Sequence, residues 1–142
     1  VASEEILVVT TPEPTSITDS YSLLKALSRH PRYDKESTSI KMIANRVNKE
    51  EEGRGLFEKL NAVVERYLKI PISYLGSIPQ DDKLLKAVMQ QTPVSLQNPT
   101  AKSSQAYEEM AYKLVKKEEV ETQPRRGMAA FFSHIVNARR MI

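Results

Sequence analysis

The chain has 142 residues, of which 40% are apolar and 27% charged, and its formal net charge at pH 7 is +3. These values are ordinary for a globular domain with a single core. The absence of cysteine excludes disulfides and thiolate chemistry. Four arginines and no acid lie between Pro124 and Ile142. The positive charge is therefore concentrated in the tail, and we expect no nucleic-acid binding by the body of the chain.

A continuous apolar run, Ile6–Val9, opens the chain and ends at Thr10-Thr11. Such a run predicts a strand that is buried on both faces of a parallel sheet. A strand of this kind normally sits inside a sheet. We therefore expect the chain to be the second part of a larger α/β protein.

The first helix is predicted from about Ser16 to Arg29. Thr15 or Ser16 is a candidate N-cap, and Asp19 follows Ser16 at a capping-box spacing. His30-Pro31 is expected to end the helix, because the residue before a proline avoids the α region.

Two more strand and helix pairs follow in the same order. Strands are predicted at Ser39 to Val47 and Ile72 to Ile78. Helices are predicted at about Gly55 to Lys69, after Asp81 or Asp82, and from Asn98-Pro99 to about Glu118. Gly53 and Gly55 are expected to shape the loop before the second helix, and Pro93-Val94 to form a turn and a short extended piece.

This alternation predicts the α/β class, with a partial parallel sheet, right-handed crossovers and flanking helices. Ligands of such sheets bind at the carboxyl ends of the strands. Candidate ligand-binding residues are therefore expected at three strand ends: Thr11-Pro12-Glu13, Asn45-Arg46 and Pro79-Gln80-Asp81.

The predicted organisation is a domain over residues 1–118, a charged linker over 119–127 and an amphipathic helix over 128–142. The apolar side of that helix carries Phe131, Phe132, Ile135 and Val136. Phenylalanines flanked by arginines are typical of a helix that lies on an anionic membrane surface. Packing on this or a neighbouring subunit is the alternative.

The turn residues allow both functional and structural interpretations. The Asn45 amide can bind a purine edge, or it can bond its own backbone. Pro79 and Asp81 can flank an adenine, or they can form a strand exit and a helix cap. The Glu13 carboxylate can meet a ribose hydroxyl or a subunit interface, or it can be a solvated loop charge. The sequence contains no recognisable catalytic residues, metal-ligand cluster or phosphate-binding loop.

Three segments carry a family resemblance: TTPEPTSITDSY, then IANRV, then IPQDDKLLKAV. In this order and spacing they resemble the MinD/ParA class of deviant P-loop ATPases, over about Ile6 to Val115. The first segment most resembles the flagellar-number regulators of the FlhG group, also called YlxH or FleN. The resemblance covers the C-terminal portion of such an ATPase.

The resemblance implies a cytosolic ATPase that binds ATP or ADP with Mg²⁺, forms a homodimer around ATP and then attaches to the inner membrane as a peripheral protein. It places Asn45, Arg46, Pro79, Gln80 and Asp81 on the adenine side of the nucleotide. Glu13 and Asp19 would then belong to the dimer or partner interface, and the tail phenylalanines with Ile135 and Val136 to the membrane contact. The implied partners are the missing N-terminal half, the GTPase FlhF and proteins of the flagellar switch ring.

One departure limits these expectations. The lysine-bearing phosphate loop of the class is not among these residues. This chain is therefore expected to be inactive alone and to bind nucleotide weakly. The alternatives are a MinD regulator of the division site, a ParA-like positioning ATPase and a non-enzymatic interaction module on the same scaffold.

Overall fold

A computed structural model describes residues 4–121, with side chains for residues 4–116. Its strands are β1 (Glu5–Thr10), β2 (Ser39–Val47) and β3 (Ser73–Pro79). Its helices are α1 (Pro14–Ser28), α2 (Glu50–Tyr67), α3 (Asp82–Met89), α4 (Val94–Gln97) and α5 (Lys102–Glu121). The chain divides into two compact units, Val1–Met110 and Ala111–Ile142.

The three strands form one parallel sheet in the order β1-β2-β3. Ile6 pairs with Ile40 of β2, and Met42 of β2 pairs with Tyr74 of β3. The predicted α/β class and parallel sheet are confirmed. Because the strands are parallel, α1 and α2 each return from the carboxyl end of one strand to the amino end of the next.

The main core lies between one face of the sheet and helices α1 and α2. Its fully buried side chains come from both layers and include Leu24, Met42, Leu60 and Val64. In α2, Leu56, Leu60 and Val64 recur every four residues, which places them on one face of the helix. Burial of this stripe fixes α2 across β2.

The opposite face of β1 differs from the expectation. Leu7 and Val9 are 44% and 53% exposed, so the predicted burial of this strand on both faces is wrong for the part of the chain that the structure describes. The reason is that α1 and α2 cover only the Val8 side. On the other face of the sheet, helix α5 covers β3, because its Met110 side chain packs against Gly76.

Two helix starts also differ from the prediction. Helix α1 begins at Pro14, with Pro in the first turn, and it has no side-chain cap. The N-cap position is Glu13, so the predicted cap by Thr15 or Ser16 is wrong, and the Ser16 hydroxyl instead accepts a hydrogen bond from the Thr11 amide at 2.9 Å. Helix α2 begins at Glu50, which puts Gly53 and Gly55 inside the helix rather than in a loop. Three glutamates in its first turn favour this earlier start, since they complement the helix dipole.

The segment after β3 is more helical than predicted. Val94–Gln97 is a short helix, not an extended piece. Helix α5 begins at Lys102, after the predicted Asn98-Pro99 start, and continues through Glu121 into the predicted linker. Asn98 caps the end of α4, and its carbonyl accepts from the Ser104 hydroxyl.

Within residues 4–121, no helix combines the length and the apolar character that crossing a bilayer requires. The predicted amphipathic segment 128–142, with Phe131, Phe132, Ile135 and Val136, lies outside the described residues.

Candidate functional site

The ends of all three strands meet at the carboxyl edge of the sheet, and Arg46, near the end of β2, connects the turns that follow β1 and β3. One guanidinium nitrogen of Arg46 lies 3.6 Å from a Glu13 carboxylate oxygen, in the turn after β1. The Arg46 Nε donates to the Gln80 side-chain oxygen at 3.4 Å, in the turn after β3. The backbone amide of Gln80 also donates to the Val47 carbonyl at 2.9 Å. Glu13, Arg46 and Gln80 therefore form one connected group.

The backbone of Arg46 is unusual. Its φ is +58°, in the left-handed region, and the β2–β3 register shifts between Asn45 and Val47. A residue with a side chain adopts this conformation at a cost of about 1 kcal/mol. Non-glycine outliers of this kind concentrate at functional sites. The bulge turns the Arg46 side chain toward Glu13 and Gln80, which a regular strand would not do at this position.

Asn45 precedes the bulge and is half-buried. Its side-chain oxygen accepts from the Arg46 amide at 3.0 Å, which is the backbone-bonding interpretation considered for this residue. Among the described residues, no hydrogen bond is found for its amide nitrogen. Asn45 pairs in register with Ile78, and Val47 pairs with half-buried Pro79. The structure thus places Asn45, Pro79 and Gln80 on adjoining strand ends.

Asp81 has a structural role in this fold. One carboxylate oxygen accepts from the Lys83 amide at 2.9 Å and caps α3. The other accepts from the Ser103 amide at 3.0 Å and from the Ser103 hydroxyl at 2.8 Å. The hydrogen bonds from Ser103 are the main cause of a pKa below the ordinary value for Asp81. Asp81 therefore holds the starts of α3 and α5 together.

The two predicted interface residues lie on the β1–α1 side of the edge. Glu13 is exposed, its carboxylate pairs with Arg46, and its carbonyl accepts from the amides of Ser16 and Ile17. Asp19 is exposed on α1, and it is not among the residues that contact Arg46.

Two features near this edge were not predicted from the sequence. The Thr11 hydroxyl oxygen is shielded from solvent, with no hydrogen-bond partner among residues 4–121. Glu50, at the start of α2, accepts hydrogen bonds from the hydroxyls of Tyr74 and Ser77. Desolvation is the main cause of a raised pKa for Tyr74, so its phenol stays protonated at neutral pH. The earlier start of α2 explains the omission, since Glu50 was expected in a loop.

Across the described range, no group of three or more histidine, cysteine, aspartate or glutamate side chains has a metal-binding arrangement.

No protein-family model matches the chain. It is 41% identical to the antiactivator FleN of Pseudomonas aeruginosa over 113 residues, which are 80% of this chain and 39% of FleN. It is 30% identical to the flagellum site-determining protein YlxH of Helicobacter pylori over 138 residues, or 95% of this chain and 45% of YlxH. The solved septum site-determining protein MinD of Pyrococcus horikoshii, in complex with Mg-ADP, matches 84% of this chain and 44% of its own, with a TM-score of 0.58 and 23% identity.

The chain belongs to the MinD/ParA class of P-loop ATPases. Its parallel sheet with flanking helices matches the fold of that class. Within that class it is most like the FlhG group of flagellar regulators, to which FleN and YlxH correspond, and it covers the C-terminal portion. The chain spans less than half the length of these relatives.

Proposed function

We propose that this chain forms the adenine side of the nucleotide site in a MinD-type ATPase that regulates flagellar number or placement. The observation that supports this most strongly is the pair of adjoining strand ends at the carboxyl edge, Asn45-Arg46 and Pro79-Gln80, which the Arg46–Gln80 hydrogen bond joins. This edge is where open parallel sheets bind nucleotides. The similarity to FleN and YlxH favours the flagellar role over the division-site role of MinD.

The chemistry of this edge fits an adenine. The Asn45 amide group offers a donor and an acceptor side by side, which matches the pattern on a purine edge. Pro79, half-buried at the end of β3, contributes a flat apolar surface. Asp81 keeps these turns in place through α3 and α5, which makes it a positioning residue in the proposed site.

ATP with Mg²⁺, when bound, supplies the phosphoryl group whose hydrolysis resets the switch. We assign none of the described residues to the phosphates or to the metal. The contribution of this chain is to bind the base, to orient it through Asn45, and to connect it to the Glu13 turn through Arg46.

The regulatory step in this proposal is an ATP-dependent change from monomer to homodimer. A ligand shifts such an equilibrium only when it binds the two states with different affinity. The Glu13–Arg46 ion pair is suited to this, because its side chains remain 64% and 58% exposed and can exchange partners at low cost. We place Glu13 and Asp19 on the face that meets the second subunit or a partner such as FlhF or a switch-ring protein.

In the same proposal, the protein is cytoplasmic and reaches the inner membrane through segment 128–142 when ATP is bound. Phe131, Phe132, Ile135 and Val136 would insert between anionic lipids, with flanking arginines at the head groups. Equal co-sedimentation of the parent and the Phe131→Asp/Phe132→Asp variant with phosphatidylglycerol vesicles would remove this membrane role.

The nucleotide site is tested by replacing Asn45 with alanine in the full protein. We expect the variant to bind ADP about tenfold more weakly, since a hydrogen-bonding side chain at the base is lost. Asn61→Ala is the matched control, because Asn61 is also half-buried but lies on α2 near the opposite edge of the sheet. Calorimetric titration with ADP gives the affinities. Equal affinities for the two variants would contradict the adenine assignment.

A further inference from the structure

A cavity of about 520 Å³ lies at the amino-terminal edge of the sheet, opposite the carboxyl edge described above. It opens between the carboxyl-terminal ends of α1 and α2 and the loop that leads to β2. Its lining is basic and aromatic: Lys25, Arg29, Tyr33, Lys35, Tyr67 and Lys69. The volume falls within the range of small-molecule sites.

The four cations come from three different parts of the chain. Lys25 and Arg29 lie at the end of α1, Lys35 lies in the following loop, and Lys69 follows α2 with a left-handed φ of +54°. The ion pairs found in the described residues involve Lys41, Arg46 and Arg54, and none involves these four cations. The fold therefore gathers four positive charges around one cavity without a carboxylate partner for any of them in the described region.

Helix capping does not account for this cluster. Cations near the carboxyl end of a helix are favoured by the helix dipole, which applies to Lys25 and Arg29 in α1 and to Lys69 after α2. Some carbonyls of the last turns are already satisfied by backbone amides: the Arg29 amide donates to the Ala26 carbonyl, and the Leu68 and Lys69 amides both donate to the Val64 carbonyl. Lys35 belongs to no helix, yet it lines the same cavity. A helix-end preference thus accounts for Lys25, Arg29 and Lys69, but it explains neither Lys35 nor the convergence of the four charges on one cavity.

Tyr33 also lines the cavity. Its hydroxyl oxygen is shielded from solvent and has no hydrogen-bond partner among residues 4–121. Burial, followed by the charge of Asp34, raises the Tyr33 pKa, so the phenol keeps its proton at neutral pH. An unsatisfied hydroxyl destabilises the fold, and a movement of the ring that brought the hydroxyl to a ligand oxygen in the cavity would relieve that cost.

We propose that this cavity binds a small soluble ligand with two or more phosphate groups, separately from the nucleotide site at the other edge. Several cations around one cavity suit a polyanion, because each contributes a charge-assisted hydrogen bond to a phosphate oxygen. An adjoining cavity of about 600 Å³ shares Lys35 and Lys69 but also contains Glu65. That carboxylate disfavours an anion there, so the phosphates belong on the α1 side, beside Lys25 and Arg29.

Pyrophosphate is the probe for this site, and amide NMR of the full protein is the readout, because it reports binding residue by residue. We expect shifts at Arg29, Lys69 and Ile70. The Lys25→Ala/Lys69→Ala variant is expected to bind at least about tenfold more weakly. Lys59→Ala/Lys86→Ala is the control, since it removes the same charge from exposed helix positions that do not line this cavity.

The outcomes are distinguishable. Loss of pyrophosphate shifts at these amides in the Lys25→Ala/Lys69→Ala variant, with the control variant unchanged, supports the site. Equal affinities of the two variants would overturn it, because the binding would then follow only net charge. Shifts produced by phosphatidylglycerol vesicles but not by pyrophosphate would overturn the soluble ligand in favour of a lipid head group.

Discussion

Replacing Asp81 with alanine is expected to lower the free energy of unfolding by about 3 kcal/mol. The change removes the cap of α3, which contributes about 1 kcal/mol. It also leaves the amide and hydroxyl of the fully buried Ser103 without their acceptor, at a further cost of about 2 kcal/mol. Urea denaturation followed by circular dichroism measures the difference.

Asp82→Ala is the matched control for this change. Asp82 is an exposed acid in the first turn of α3, where its charge contributes less than about 1 kcal/mol through the helix dipole. Similar losses for the two variants would mean that Asp81 acts only through its charge and does not hold α5.

The Asp81 effect also has a defined pH dependence. The folded state lowers its pKa below the ordinary value of 3.8, so the ionised form stabilises the fold. This contribution is fully present above about pH 4 or 5 and is lost as the pH falls through the lowered folded pKa. The stability difference between the parent and Asp81→Ala should therefore shrink progressively below that pH, and an increase there would contradict the assignment.

Replacing Gly53 with alanine is expected to destabilise the fold by about 2 kcal/mol. A Cβ at Gly53 would lie 2.6 Å from the Tyr74 hydroxyl oxygen, 3.1 Å from the Ser77 Cβ and 3.3 Å from the Ala44 Cβ. The Tyr74 ring can move, but the other two atoms are attached directly to the sheet backbone. Helix α2 must therefore shift away from β2 and β3, and overpacking of this kind exceeds the gain in helix propensity.

Gly55 gives the opposite expectation in the same helix. A Cβ there meets nothing within 4 Å, so Gly55→Ala should stabilise the protein by about 0.5–1 kcal/mol through helix propensity alone. Thermal unfolding of the two variants should shift the midpoint in opposite directions. Equal shifts would mean that α2 does not pack closely on the sheet at Gly53.

The parallel sheet was predictable because each of its strands and helices is specified by residues that are close together in sequence. Each apolar run followed by a helical stripe gives a strand and a helix, and parallel connections then place Asn45 and Gln80 at one edge. The contacts that fix the site are less local. Arg46 reaches Gln80 only because its backbone is left-handed. Nothing in the neighbouring sequence specifies that conformation.

Other features depended on partners that are distant in sequence. The Asp81 carboxylate accepts hydrogen bonds from Ser103, which is 22 residues away in sequence. The sequence of the turn alone therefore could not distinguish a helix-capping role of Asp81 from a nucleotide contact. Leu7 and Val9 read as buried, because an apolar run does not show which faces the neighbouring helices will cover. The basic cavity was missed for the same reason, since Lys25, Lys35 and Lys69 form no local motif.

Amide hydrogen exchange of the full protein, with and without Mg-ADP, tests the central proposal most directly. If this chain provides the adenine side of the site, ADP should slow exchange both in residues 45–48, at the end of β2, and in residues 80–83, between β3 and α3. Exchange at Lys69 and Ile70, at the other edge of the sheet, should stay unchanged. If Mg-ADP slowed exchange in neither of these two carboxyl-edge segments, the assignment of their residues to the nucleotide would be contradicted.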